Sequence, residues 1–390
     1  MIKISLKTTL FLIVFFLLGS LAGYFVNLIF FSVESSAIAT PELNEGNRSS
    51  YNSPLSNWNL TDPGKLITIS TPQDIDVKRK QLMQFIWKTD HLPTTLPGSI
   101  EKDFVDSRYK KMKYLKSIDK ITTRMEFGLK SIAYHFKSSK QNKNKLVIYH
   151  GEHSGDFIYA YALIESFLKE GYDVLAFAIP LLGLNSEPIG DTGRFGNIVD
   201  IPVYGILTLA DHNTFFFVDN STFTSIKFYV HPIAVALNYI EQQYDYESIV
   251  MTGYSGGGWT TTLYTALDPR IQKSYPAASS QPFYLISNDY DLYMGGDYET
   301  FNPELYRIAD YLDLYIMGSS GENRNQIQIL NLYDPCCFAG VGYKTYEDVV
   351  SDRVKSLGNG SFSVFSDDSH YEHKISDVAF EVILEDMERN

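Results

Sequence analysis

The sequence predicts an α/β protein whose β-sheet is mostly parallel and is flanked by helices. Two observations support this prediction. Short apolar runs alternate with helical patterns from about residue 121 onward, and one of these runs leads directly into a glycine-rich turn. Strands that alternate with helices usually form a parallel sheet, because each helix carries the chain back to the edge where the next strand begins.

The individual elements follow from their hydrophobic periods. In chain order the predicted strands are 122–129, 131–136, 145–149, 172–179, 248–251, 326–332 and 361–365, and the predicted helices are 157–170, 233–243 and 375–387. The long segment 181–228 interrupts the alternation, and we expect it to form a lid or another excursion over the site.

Composition excludes one class of function and leaves others open. The formal net charge is −13, with no basic stripe, so a nucleic-acid partner is not expected. The two cysteines, Cys336 and Cys337, are adjacent and cannot link distant parts of the chain. We expect them to be packed small residues rather than reactive thiols.

The N-terminus carries an uncharged apolar run from residue 10 to residue 31, preceded by Lys3 and Lys7. A helix with about 1.5 Å rise per residue over this length spans a hydrocarbon core about 30 Å thick. The lysines before the run predict a cytoplasmic N-terminus and an extracytoplasmic main domain. The alternative is a cleaved signal segment, with small residues at Ala37 and Ala39 for the cleavage, which would yield a secreted protein.

Composition and pattern then divide the chain into four parts. Residues 1–34 form the membrane anchor or signal segment, and residues 35–65, rich in Ser, Asn and Pro, form a flexible spacer. Residues 66–120 form an N-terminal extension with a helix near 74–87. Residues 121–390 form the α/β domain.

The strongest chemical signal is the motif G-x-S-x-G, formed by Gly253, Ser255 and Gly257. It follows the apolar strand 248–251 and precedes a helix-compatible segment. A serine on so sharp a turn needs neighbours without side chains, because the backbone there is crowded. The turn also directs the N-terminus of the following helix, which favours negative charge, at the site.

From this motif onward the sequence resembles the α/β-hydrolase family of serine esterases and lipases, over roughly residues 121–390. In that family the nucleophile, the acid and the histidine occur in this order, each after a strand. The resemblance implies Ser255 as nucleophile and Asp334, after strand 326–332, as the acid; Asp310 and Asp313 are weaker rivals. His373 is the preferred histidine and His370 the alternative, because His373 directly precedes the closing helix.

The resemblance also implies an oxyanion hole. Its donors would be the amide of Gly256, next to the nucleophile, and the amide of Glu152 in the His150-Gly151 turn after strand 145–149. The expected chemistry is acyl transfer from an ester-type small-molecule or acylated substrate to water, without metal or cofactor.

The sequence also allows two other functions. The chain contains two H-x-x-H pairs, His150 with His153 and His370 with His373, which together with carboxylates could bind zinc in a metal-dependent hydrolase. Alternatively, the same fold could serve as a non-catalytic binding module.

Overall fold

The computed structural model describes residues 61–141, 143–153, 156–187, 196–201, 204–286 and 297–389. All of them belong to the second of the two units into which the chain divides, residues 48–390. None of the helices in the described ranges combines the length and apolar character that a membrane crossing requires. The apolar run 10–31 lies outside these ranges, so its predicted role stays a prediction.

The strands and helices within the described ranges are numbered in chain order. The strands are β1 Ser99–Glu101, β2 Leu115–Arg124, β3 Lys130–Ser138, β4 Lys145–His150, β5 Asp173–Phe177, β6 Asn197–Ile201, β7 Gly205–Leu209, β8 Ser248–Tyr254, β9 Ile271–Ala277, β10 Asn325–Asn331 and β11 Ser361–Asp367. The helices are α1 Pro72–Trp87, α2 Tyr161–Lys169, α3 Lys227–Gln243, α4 Gly256–Leu267, α5 Phe283–Ile286, α6 Pro303–Ile308, α7 Tyr311–Ser319, α8 Glu347–Ser356 and α9 Asp377–Glu388.

The main sheet has the strand order β1-β2-β3-β5-β4-β8-β9-β10-β11. The neighbouring pairs β1–β2, β2–β3 and β3–β5 are antiparallel. The remaining pairs, β5–β4, β4–β8, β8–β9, β9–β10 and β10–β11, are parallel. The predicted mostly parallel sheet is therefore confirmed. Within it, His150 at the end of β4 pairs with Gly253 of β8, so the turns that follow these two strands lie side by side.

Helices cover both faces of this sheet, as predicted. One buried cluster holds apolar side chains of α1, α3, α4 and α7, and the other holds those of α2 and α9. Helix α4, which follows the G-x-S-x-G turn, is buried along its whole length. Since neither end of α4 can shift without disturbing the core, the turn that precedes it has a fixed position.

The N-terminal region contributes to the main sheet. The helix predicted near 74–87 is α1, and Thr71 caps its N-terminus by accepting a hydrogen bond from the amide of Asp74. Strand β1 and most of β2 precede residue 121, so the sheet extends into the segment that the sequence assigns to an extension. The segment 181–228 contains the hairpin β6–β7 and a 3-10 helix, His212–Phe217.

Candidate active site

Ser255 lies at the junction between β8 and α4 in a backbone conformation that side chains rarely adopt, with φ 55° and ψ −128°. Its amide donates to the carbonyl of Ala277 at 2.9 Å, and its carbonyl accepts from Trp259 at 3.0 Å. The residue is half-buried rather than enclosed. Strain of this kind persists only where the surroundings over-determine it, which marks the turn as a functional candidate.

The glycines around Ser255 are required by close backbone contacts. A Cβ on Gly253 would lie 2.6 Å from the carbonyl oxygen of Gly257, and a Cβ on Gly257 would lie 2.0 Å from the carbonyl oxygen of His150. A Cβ on Gly258 would meet the carbonyl oxygen of Ala277 at 2.6 Å. The turn therefore packs directly against the loop that follows β4, which is why the sequence has no side chain at these positions.

Replacing Gly257 by alanine tests this packing. We expect Gly257→Ala to lower the free energy of unfolding by about 3 kcal/mol, because backbone atoms on both sides of the contact must move. Gly64→Ala is the control, since a Cβ there meets the end of the exposed Asp62 side chain at 3.2 Å. Urea unfolding measures the free energy of unfolding of both variants. Equal values for Gly257→Ala and Gly64→Ala would contradict the close contact between Gly257 and the carbonyl oxygen of His150.

Asp334 is fully buried after β10, and its two oxygens accept several hydrogen bonds. Oδ1 accepts from the amides of Cys336 and Cys337 at 2.8 and 3.2 Å, and Oδ2 accepts from Nδ2 of Asn331 at 3.0 Å. The same Nδ2 also donates to the carbonyl of Lys374 at 2.9 Å. Asn331 thus links the carboxylate to the last loop; no sequence motif indicates this role.

His373 is the late histidine that contacts this carboxylate. Its Nδ1 lies 2.8 Å from Oδ2 and 3.0 Å from Oδ1 of Asp334. His370 instead directs Nε2 at Asp367, 3.3 Å from Oδ2, and its Nδ1 accepts from the amide of Glu372. Between the two histidines that the sequence left open, the geometry therefore pairs His373 with Asp334.

The ring of His373 lies next to the serine turn. Its centroid is 5.6 Å from that of Tyr254, the residue before Ser255. Nε2 of His373 is buried and makes no hydrogen bond with any residue in the described ranges. With Nδ1 held by the carboxylate, Nε2 is the ring atom that is left to exchange a proton with a hydroxyl or a substrate.

The two predicted oxyanion donors lie on neighbouring pieces of backbone. Gly256 begins α4, and Glu152 belongs to the loop after β4 whose His150 carbonyl abuts Gly257. Burial, and to a smaller extent the charge of Glu152, raises the pKa of the Tyr254 phenol, so this phenol stays neutral. The N-terminus of α4 is the adjacent source of positive potential for an oxyanion.

The rival acids and the cysteines have other partners. Asp310 accepts from the amide of Asp313 as the N-cap of α7, and Asp313 forms an ion pair with Lys78 at 3.1 Å. Cys336 and Cys337 are joined to each other by a disulfide bond. Cys336 is exposed and Cys337 is half-buried, so the expectation that both are packed small residues is wrong.

Within the described ranges, neither H-x-x-H pair brings its two histidines into one group of metal-type ligands. His150 is buried with its Nδ1 near the carbonyl of Gly151, and burial lowers its pKa to about 4. Its ring stacks on Phe177.

Comparison with known proteins identifies the fold. No family model matches the chain, and no curated protein matches it by sequence. Its structure is similar to acetyl xylan esterase 1 from Thermoanaerobacterium sp. JW/SL YS485, with a TM-score of 0.55 and 16% identity over 86% of this chain and 98% of that chain. It is also similar to the methylesterase BT1017, with a TM-score of 0.53 and 12% identity over 80% of this chain and 62% of that chain.

A third structure of the same kind is the acetyl xylan esterase from Paenibacillus sp. R4, with a TM-score of 0.50 and 15% identity over 88% of this chain and 98% of that chain. These likenesses, together with the strand order, show that the chain has the α/β-hydrolase fold. The resemblance inferred from the serine motif is confirmed at the level of the fold.

Proposed function

We propose that this chain is a serine esterase in which Ser255 is the nucleophile, His373 the general base and Asp334 the residue that orients the histidine. The observation that carries the proposal is the hydrogen bond between Asp334 and His373 next to a serine with positive φ. A carboxylate, an imidazole and a hydroxyl in this order transfer a proton away from the hydroxyl as it attacks.

The proposed reaction has two halves. Nε2 of His373 takes the proton of Ser255 while Oγ forms a bond to the ester carbonyl carbon, and the amides of Gly256 and Glu152 hold the oxyanion. The C–O bond to the alcohol then breaks, and His373 gives its proton to the leaving oxygen. Water, deprotonated by His373, then attacks the carbonyl carbon of the acyl-enzyme. The bond from that carbon to Oγ breaks, His373 returns the proton to Oγ, and the carboxylic acid is released.

Esters are the substrate class that this site supports best. Structures of the same fold bear the names acetyl xylan esterase and methylesterase, and this supports an ester carbonyl as the attacked group. The test uses the full chain in detergent with 4-nitrophenyl acetate, butyrate and octanoate, each beside the matching 4-nitroanilide. We expect the esters to be cleaved and the amides not; hydrolysis of none of them would favour a binding module instead.

We further propose that the apolar run 10–31 anchors the enzyme and leaves the hydrolase domain outside the cytoplasm. The support is the length of the run and the position of Lys3 and Lys7 before it. In a bacterial host we expect the full chain in the membrane fraction and open to protease added to spheroplasts. The intact N-terminus should be found by mass spectrometry; an N-terminus near residue 40 would mean a cleaved signal, and a protease-protected domain would contradict the orientation.

A further inference from the structure

We infer that a second cluster beside the proposed active site binds a divalent transition-metal ion, with Zn²⁺ the best match. Its four side chains are His153, His212, Asp297 and Glu299, and one ligand atom from each lies within 4.8 Å of the others. The inference does not depend on the proposed esterase function, because it concerns a set of residues that the proposed reaction does not use.

Three separate segments bring these residues together. His153 follows β4, and His212 begins the 3-10 helix of the excursion after β5. Asp297 and Glu299 lie at the start of another 3-10 helix, Tyr298–Phe301. The side chains of His212 and Glu299 are both only 1% exposed, whereas those of His153 and Asp297 are 36% and 26% exposed. The cluster therefore has a buried half and a half that an ion can reach from solvent.

The donor set matches zinc. Two imidazoles and two carboxylates are typical ligands of Zn²⁺ and its first-row neighbours, whereas Ca²⁺ prefers oxygen alone. In a tetrahedral site with bonds of about 2.0–2.1 Å, ligand atoms lie about 3.4 Å apart, so these side chains need to draw together by at most about 1.4 Å. Rotation of the side chains of His153 and Asp297, the two more exposed ligands, provides part of that movement.

The ring nitrogens that would coordinate the ion already face the carboxylates. Nδ1 of His212 lies 3.0 Å from Oε1 of Glu299, and Nε2 of His153 lies 2.7 Å from Oδ2 of Asp297. The two imidazole rings are adjacent, with centroids 5.0 Å apart. An ion at the centre would replace these two hydrogen bonds by four coordinate bonds.

Two further contacts are compatible with a metal site. Nε2 of His212 lies 3.0 Å from the carbonyl oxygen of Pro180, the contact by which metal-binding histidines are usually oriented while the other nitrogen coordinates. Oε2 of Glu299 is buried and accepts no hydrogen bond of normal geometry among the described residues, and the buried hydroxyl of Tyr229, which acts on this carboxylate, likewise makes none. A buried carboxylate oxygen without a well-formed hydrogen bond is costly, and a cation would satisfy it.

The ion would lie close to the proposed nucleophile. A Cβ on Gly256 would be 2.9 Å from Cε1 of His153, so the ring of His153 touches the first residue of α4. By holding His153, His212 and Asp297 together, the ion would tie the loop after β4 to the excursion and to the segment after α5. It would thereby fix the surroundings of the serine turn.

The test is calorimetric titration of the metal-free full chain, in detergent and without reductant, with ZnCl₂. We expect saturable binding of one equivalent and a higher thermal midpoint. CoCl₂ should give visible d–d absorption of a site with nitrogen and oxygen ligands, and CaCl₂ should give neither effect. Keeping the chain oxidised leaves the sulfurs of Cys336 and Cys337 in their disulfide, so the cluster that they form with His373 does not compete.

Matched variants assign the binding to these residues. His212→Asn and Asp297→Asn should each weaken Zn²⁺ binding by at least about 100-fold, the upper end of what loss of an outer contact costs. His91→Asn, at an exposed histidine elsewhere, should leave it unchanged, and so should Ser255→Ala. If His212→Asn fails to fold, the partly exposed Asp297 still provides the test. Absence of saturable binding, or binding that survives Asp297→Asn undiminished, would overturn the inference.

Discussion

Ser255→Ala is expected to lower kcat for 4-nitrophenyl acetate by about 10⁴-fold or more, because the proposed nucleophile is lost. The substitution removes one oxygen from a half-buried residue, so the fold should be preserved. Serine and alanine both have small side chains, so the change should not add to the strain of the backbone at position 255. We therefore expect the circular dichroism and the thermal midpoint of Ser255→Ala to match those of the wild type.

Ser166→Ala is the matched control for this variant. Its hydroxyl donates to the carbonyl of Ala162 within α2, and the proposed reaction uses neither residue. Its activity should equal that of the wild type. If Ser255→Ala kept more than about a tenth of the wild-type activity, the remaining rate would be too high to come from substrate binding and the oxyanion donors alone. Another residue would then have to be the nucleophile.

The second large effect separates the two late histidines. His373→Gln is expected to lower kcat by about 10⁴-fold, since His373 is the group that the proposal assigns to take the proton of Ser255. His370→Gln should retain most of the activity, because His370 faces Asp367 rather than Asp334. The two positions lie in one loop and receive the same substitution, so each variant controls for the other.

A combined variant extends this test. If His373 and Ser255 act as a unit, the double variant Ser255→Ala, His373→Gln should be no less active than either single variant. Equal losses in His370→Gln and His373→Gln, or additive losses in the double variant, would contradict the assignment of the base.

Much of the fold could be predicted from the sequence because its strands are short apolar runs between turn residues. The runs over 145–149, 248–251 and 326–332 correspond to β4, β8 and β10 with small shifts of their ends. Strand β9 was not predicted: Ile271–Ala277 includes a lysine, a serine and a proline, and only pairing between β8 and β10 makes it a strand.

Part of the candidate site could also be predicted from the sequence, because that part is local in the chain. The serine turn is local, and its crowding leaves a pattern of glycines in the sequence. The choice of His373 over His370 rested on its place before the closing helix, and the contact with Asp334 is consistent with it. Asn331 has no such signal, because its amide bridges a strand end and a loop that only the folded chain brings together.

The cluster of four possible metal ligands could not be predicted from the sequence. The sequence contains His153 in an H-x-x-H pair, but the partner that this spacing suggests, His150, is buried with its ring on Phe177. The residues that do meet His153 come from positions 212, 297 and 299. Contacts across such separations depend on how the loops fold over the sheet, and no local pattern records them.

The measurement that tests the proposed chemistry most directly is labelling of the full chain with a fluorophosphonate, followed by mass-spectrometric mapping of the adduct. Such a reagent bonds to a serine whose hydroxyl is activated by a neighbouring base. The proposal predicts one adduct, on Ser255, that is lost in His373→Gln and kept in His370→Gln. An active protein that remains unlabelled, or that carries the adduct on another residue, would contradict it.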